Sequence, residues 1–158
     1  LKGSQHAQIE RPEAVLDLSS PAFIPPDYLP DEMERLNYYK RFLCSREPDK
    51  VLASIEDVCG AAPEPVRNLC EIMKLRLICA KCGVRQVEQR LDALNVFFYD
   101  KPQLPKDALS KFMERFGGGL EFIRSLRGDG IRVPINDQAP LASVRSVLEF
   151  LSAVVSKC

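Results

Sequence analysis

Five prolines, Pro12, Pro21, Pro25, Pro26 and Pro30, fall within the first thirty residues of this chain. Each lacks a backbone donor and restricts the residue before it, so no helix of useful length forms there. Residues 1–23 are therefore expected to be an extended linker, with Val15, Leu16 and Leu18 placed to lie along a neighbouring surface. A folded domain is expected over 24–158. Further prolines stand where helices start, at Pro48, Pro63, Pro65, Pro105 and Pro140, and glycines stand where they stop, at Gly60, Gly83 and Gly117 to Gly119.

Between these marks the hydrophobic spacing gives the elements. Asp31, Glu32 and Glu34 place negative charge at the start of a first helix, and Lys40 and Arg41 complement its end. Leu36, Tyr39 and Leu43 form one apolar stripe and Tyr38 with Phe42 a second, which predicts protein contact on both flanks. A short helix follows from Pro48 to Val58 with Val51, Leu52 and Ile55 on one face. The central helix runs from Pro63 to Gly83, with one stripe of Val66, Leu69, Cys70, Met73, Leu77 and Ala80 and a second of Ile72, Leu75, Cys79 and Cys82.

Strand character appears in Val84 to Leu91 and Asn95 to Tyr99. A helix with Leu109, Phe112, Met113 and Phe116 is next, stopped by the triple glycine. Leu120 to Leu126 and Ile131 to Ile135 read as a hairpin whose turn is Arg127, Gly128, Asp129 and Gly130. A last helix carries Val144, Val147, Leu148, Leu151, Val154 and Val155. This order predicts an α+β fold: a helical N-terminal half, then a small, largely antiparallel sheet with covering helices.

Composition narrows the function. The 158 residues are 46% hydrophobic, enough for one self-sufficient core, and carry 22 basic against 22 acidic residues. A neutral chain lacks the bulk electrostatic drive for nucleic acid. No apolar stretch reaches membrane-spanning length and no signal peptide is read, which gives a cytoplasmic expectation with reduced cysteines.

Few residues suggest chemistry. Cys79 and Cys82 make a C-x-x-C motif, but at the C-terminal end of a helix, where the dipole does not lower a thiol pKa. Cys59 and Cys70 are single and do not complete a four-ligand zinc set. His6 is the sole histidine and lies in the leader. The triple glycine follows a helix rather than a strand, so it is no phosphate cradle. Phe97, Phe98 and Tyr99 lack the basic interleaving of an RNA-stacking surface and read as core strand. No catalytic, cofactor-binding or metal residue is assigned. Glu56, Asp57, Arg67, Glu71 and Lys74, flanking the Gly60 stop, are the candidate partner-docking residues.

Three ordered blocks add a resemblance. Ile24, Pro25, Pro26, Asp27, Tyr28, Leu29, Pro30 and Asp31, then Arg35, Leu36, Tyr39, Lys40 and Arg41, resemble the entry of the C-terminal (TRCF) domain of bacterial transcription-repair coupling factors. Asp57, Gly60, Pro63, Pro65, Val66, Asn68 and Leu69 are similar to that family's second block, and Leu75, Leu77, Ala80, Lys81, Gly83 and Val84 to its third. Val58 and Cys59 depart from it by replacing an Arg-Phe pair. Beyond Val84 only the pattern of elements agrees, and Leu1 to Gly3 resemble the end of a preceding helicase module.

The resemblance implies a non-catalytic regulatory domain. The parent would be an ATP-dependent DNA translocase that displaces stalled RNA polymerase and recruits UvrA for nucleotide excision repair. ATP and Mg would belong to the parent, with no cofactor in this domain. The domain would be an autoinhibitory lid on the parent's UvrB-like module, touching UvrA, RNA polymerase and DNA only through other domains. The alternatives are a stand-alone nucleic-acid or protein binding module without a translocase parent, and a small metal or redox protein using the cysteine pair.

Overall fold

Asp31 ends the proline-rich stretch by capping the first helix: its carboxylate accepts from the amides of Met33 at 2.9 Å and Glu34 at 3.2 Å. The computed structural model describes residues 14–100, 105–116, 120–126, 128–135 and 140–155. The expectations for Leu1 to Gly3, His6 and the triple glycine lie outside these. The elements run β1 (Val15–Asp17), α1 (Glu32–Cys44), α2 (Pro48–Cys59), α3 (Glu64–Cys82), β2 (Val84–Gln89), β3 (Ala93–Phe98), α4 (Ala108–Phe116), β4 (Glu121–Ser125), β5 (Gly128–Pro134) and α5 (Pro140–Val155). The fold is α+β.

The strands form one five-stranded sheet in the order β1-β2-β3-β5-β4. Three pairings are antiparallel and the β1–β2 pairing is parallel. Part of the segment expected to be a linker thus belongs to the sheet. Leu16 and Leu18 pack against the sheet core, and the Ser19 amide and hydroxyl both donate to Gln89 Oε1 at 3.0 Å. Three residues sufficed for pairing because β2 offered a free edge.

Buried apolar residues fall into two clusters. The helical one joins Ile24, Leu29, Tyr38, Phe42, Val51, Ile55, Val66, Leu69 and Cys70. The other joins the helix-covered sheet face, Val87, Leu94, Val96, Phe98, Ile131 and Val133, to Leu75, Cys79 and Cys82 of α3, Phe112 of α4 and Val144, Val147, Leu148 and Leu151 of α5. Helix α3 belongs to both. Its first expected stripe is buried in the N-terminal half and its second in the C-terminal half, while Ala80 is exposed. A 19-residue helix that passes from one core to another must change its buried face on the way.

Two other expectations need correction. Leu36 and Leu43 are about half exposed, so of the first stripe of α1 only Tyr39 packs against the core, beside the buried Tyr38–Phe42 flank. Gly128 to Gly130 are not a free turn but the start of β5, where Gly130 pairs with Phe97 and Ile123. Phe97 and Phe98 are core residues as expected, at 1% and 2% exposure. On the sheet's second face an unforeseen polar row crosses three strands. Buried Glu88 takes Arg90 at 3.1 Å and the Asn95 amide at 3.2 Å, and Arg132 Nε donates to Asn95 Oδ1 at 3.0 Å.

Candidate docking surface

The candidate residues surround the corner between α2 and α3, and the chain itself sets that corner's shape. Gly60 turns it with φ +91°, and its amide donates to the Glu56 carbonyl at 2.8 Å. Glu56 Oε2 then accepts from the Ala62 amide at 2.9 Å, while Arg67 Nη1 donates to the Ala62 carbonyl at 2.8 Å. The two side chains grip one residue from opposite helices. Tyr28 adds a third hold, its hydroxyl donating to the Gly60 carbonyl at 2.6 Å. Burial first, then the neighbouring Cys59 and Glu56, push the Tyr28 phenol above its ordinary pKa.

Asp57 projects from this corner differently. It is exposed and has no hydrogen bond or ion pair among the described residues, and Val58 beside it is also exposed. A fixed corner that presents a free carboxylate and an apolar side chain can meet a partner without first ordering itself.

Glu71 and Lys74 lie in a separate network further along α3. Lys74 Nζ binds Asp49 at 3.0 Å and Glu71 at 3.3 Å, and Glu71 also binds Arg145 of α5, which reaches Glu149 at 3.6 Å. Partial burial draws the Lys74 pKa down, but hydrogen bonds to Asp49 and Glu71 outweigh it and leave it raised. The hydrogen bond from Lys74 holds the Asp49 carboxyl below its usual range. The five residues are thus not one continuous strip: Glu56 and Arg67 shape the corner, Asp57 caps it, and Glu71 with Lys74 tie α2, α3 and α5 together. Sequence reading missed Asp49 and Arg145, which lie 25 and 74 residues from their partners Lys74 and Glu71.

The proline-rich entry is equally well anchored. Ile24 donates its amide to Tyr39 Oη at 2.8 Å, and Phe23 to the Pro65 carbonyl at 3.2 Å. Asn68 Nδ2 donates to Pro21 O at 2.9 Å, and Arg35 Nη1 donates to the carbonyls of Leu29 and Pro30 at 2.7 and 2.8 Å. Tyr28, Arg35, Tyr39 and Asn68, all carried by the resemblance, thus bond to neighbouring segments of the domain.

Cys79 and Cys82 are buried and unpaired, with Cys79 pushed up to about 12 by burial. Among the described residues no group of three or more His, Cys, Asp or Glu side chains is placed to hold a metal ion. A pocket of about 260 Å³ between α4, β4 and α5 is lined by Leu109, Phe112, Phe122, Phe150 and Leu151, with Lys106 at its border. It brings no acid and base together. No helix among the described residues is long and apolar enough to cross a membrane.

The family model for the TRCF domain matches residues 18–109, more than half of the chain. This chain belongs to the TRCF domain family. It is 38% identical over 82 residues to the transcription-repair-coupling factor of Mycobacterium tuberculosis, covering 49% of this chain and 7% of that protein. It is 33% identical over 76 residues to that of Escherichia coli, covering 46% and 7%. With the Haemophilus influenzae protein it shares 27% identity over 124 residues, covering 73% and 11%. The chain therefore spans about a tenth or less of the relatives it matches. The TRCF domain's fold is similar to a crystal structure of the C-terminal domain of a transcription-repair coupling factor, with a TM-score of 0.76 at 17% identity, covering 92% of this chain and 95% of that one.

Proposed function

We propose that this TRCF domain is the non-catalytic regulatory domain of a transcription-repair coupling factor, docking as an autoinhibitory lid on a UvrB-like module of the same protein. In this reading the parent is a cytoplasmic ATP-dependent DNA translocase that displaces stalled RNA polymerase and recruits UvrA. ATP and Mg belong to its other modules. The lid hides the UvrA-binding face and restrains translocation until polymerase or DNA engages.

The observation that carries this reading is the α2–α3 corner of a TRCF-family fold. Three side-chain hydrogen bonds from Glu56, Arg67 and Tyr28 fix it, and it holds Asp57 and Val58 outward. Within the candidate docking set, Asp57 makes the contact and Glu56 and Arg67 hold the corner that presents it, while Glu71 and Lys74 stay apart in the network that ties α3 to α2 and α5. A lone carboxylate beside an apolar residue matches an interdomain patch of mixed polarity, the kind that closes and reopens.

The decisive test removes the domain from the parent. Truncation before Ile24 is expected to raise UvrA binding and DNA translocation although no catalytic group is lost. Binding and ATPase assays on the truncated parent would read it. Activity that falls or stays level on truncation would overturn the lid and favour a recruiting or structural role.

A further inference from the structure

Helix α1 has a second face that the core does not use. Tyr38 and Phe42 are buried against α2 and α3, whereas Met33, Leu36, Lys40 and Leu43 fall on the opposite side of the helix. Met33 is 66% exposed, Leu36 46% and Leu43 50%. Lys40 between them is exposed and has no hydrogen bond or ion pair among the described residues. Single exposed apolar residues are ordinary on a protein surface. Here three of them are aligned, separated by steps of three, four and three residues with Lys40 in the series. That alternation of three and four is the spacing of a helix–helix seam, in which each side chain enters a hole on a facing helix.

We propose that this face of α1 is a docking seam for an amphipathic α-helix of a protein partner that carries a carboxylate within its apolar stripe, opposite Lys40. The spacing selects a helix over an extended peptide, whose side chains repeat every two residues. The lysine selects the charge. An ammonium drawn into an apolar seam is strongly disfavoured unless an opposite charge meets it, so a partner without one is rejected. A second copy of this chain does not fit, because its own seam offers methionine, leucine and lysine and no carboxylate. The seam lies apart from the Asp57 corner and stands whether or not the lid reading holds.

The test uses the whole chain and two synthetic helical peptides about three heptads long, with leucine at the seam positions. One central seam position carries Glu in the first peptide and Lys in the second. The Glu peptide is expected to bind, shifting the amide resonances of residues 33–44, and the Lys peptide to bind at least about tenfold more weakly, about 1.4 kcal/mol. In Lys40→Glu the order of the two peptides should reverse. Leu36→Ser should weaken both while the chain stays folded with its unfolding free energy lowered by no more than about 1 kcal/mol, since the side chain belongs to neither core cluster. Equal affinity for both peptides, binding that Lys40→Glu leaves unaltered, resonance shifts confined to other elements, or no binding at about millimolar peptide would each overturn the proposal. So would a concentration-dependent dimer of the chain alone that Leu36→Glu abolishes, since that would make a second copy the occupant.

Discussion

A Cβ added to Gly130 would stand 2.4 Å from the Val96 carbonyl oxygen and 3.0 Å from the Phe97 ring, so β5 can approach β3 only because this position has no side chain. Gly60 is constrained otherwise: nothing lies within 4 Å of its Cβ site, but its φ of +91° is disfavoured for other residues. Gly130→Ala is therefore expected to lower unfolding free energy by about 2 to 3 kcal/mol, because backbone must move. Gly60→Ala should cost about 1 to 2 kcal/mol, the strain of holding a positive-φ extended backbone that is essentially reserved for glycine. Denaturant unfolding of both would check the order.

The cysteines are tested through pH. Burial favours the neutral thiols of Cys70 and Cys79 in the folded state, each pushed up to about 12, and the Asp49 carboxylate adds to the shift at Cys70. An unfolded thiol ionises near pH 8.5, so the stability these groups contribute is complete below that pH and is lost as pH climbs towards about 12. Cys79→Ala is expected to cost about 1 to 3 kcal/mol at neutral pH and to make the alkaline decline shallower than in the parent chain. A thiol reagent should label exposed Cys44 at once and Cys79 and Cys82 only as the fold opens.

At the scale of elements, α3 decides whether two clusters behave as one domain. Val66 and Leu75 are both fully buried, one in each cluster, on the same helix. Val66→Ala and Leu75→Ala should therefore both shift a single cooperative transition, by about 1 to 3 and 2 to 5 kcal/mol respectively. Near- and far-ultraviolet dichroism would follow it, and two separated transitions would show that the shared helix fails to couple the halves. The helices were legible in the sequence because caps, prolines and 3.6-residue spacing are local signals, as Asp31, Pro48 and Gly83 show. The strand at Val15–Asp17 was not, because its pairing rests on a β2 edge some seventy residues away. The glycines opening β5 were misread for the same reason: only the register against Val96 and Phe97 shows that they serve close approach. The Asp57 corner was half legible. Its residues were named from charge pattern and resemblance, but the grip of Glu56 and Arg67 on Ala62 depends on how two helices meet.

At the scale of the whole molecule, a tethered lid needs little intrinsic affinity. A docking site to which the domain is covalently tethered experiences an effective concentration up to the millimolar range, so a weak interface suffices to keep it closed. Holding a site masked 99% of the time takes about 2.7 kcal/mol. The isolated domain added in trans loses that advantage, and it is expected to bind a parent lacking this domain with a dissociation constant no tighter than about ten micromolar. In the proposed lid, Asp57 is the charge that discriminates. Glu56→Lys would break the hydrogen bond to the Ala62 amide and blur docking with loss of the corner, whereas Asp57→Lys changes the surface alone. In the full-length parent Asp57→Lys should release UvrA binding as truncation does, while the isolated domain keeps its unfolding midpoint to within about 0.5 kcal/mol. Release by Asp57→Lys with an intact fold would locate the lid's contact at this corner. Unchanged UvrA binding in that variant would mean that the lid, if it closes, does so through another face.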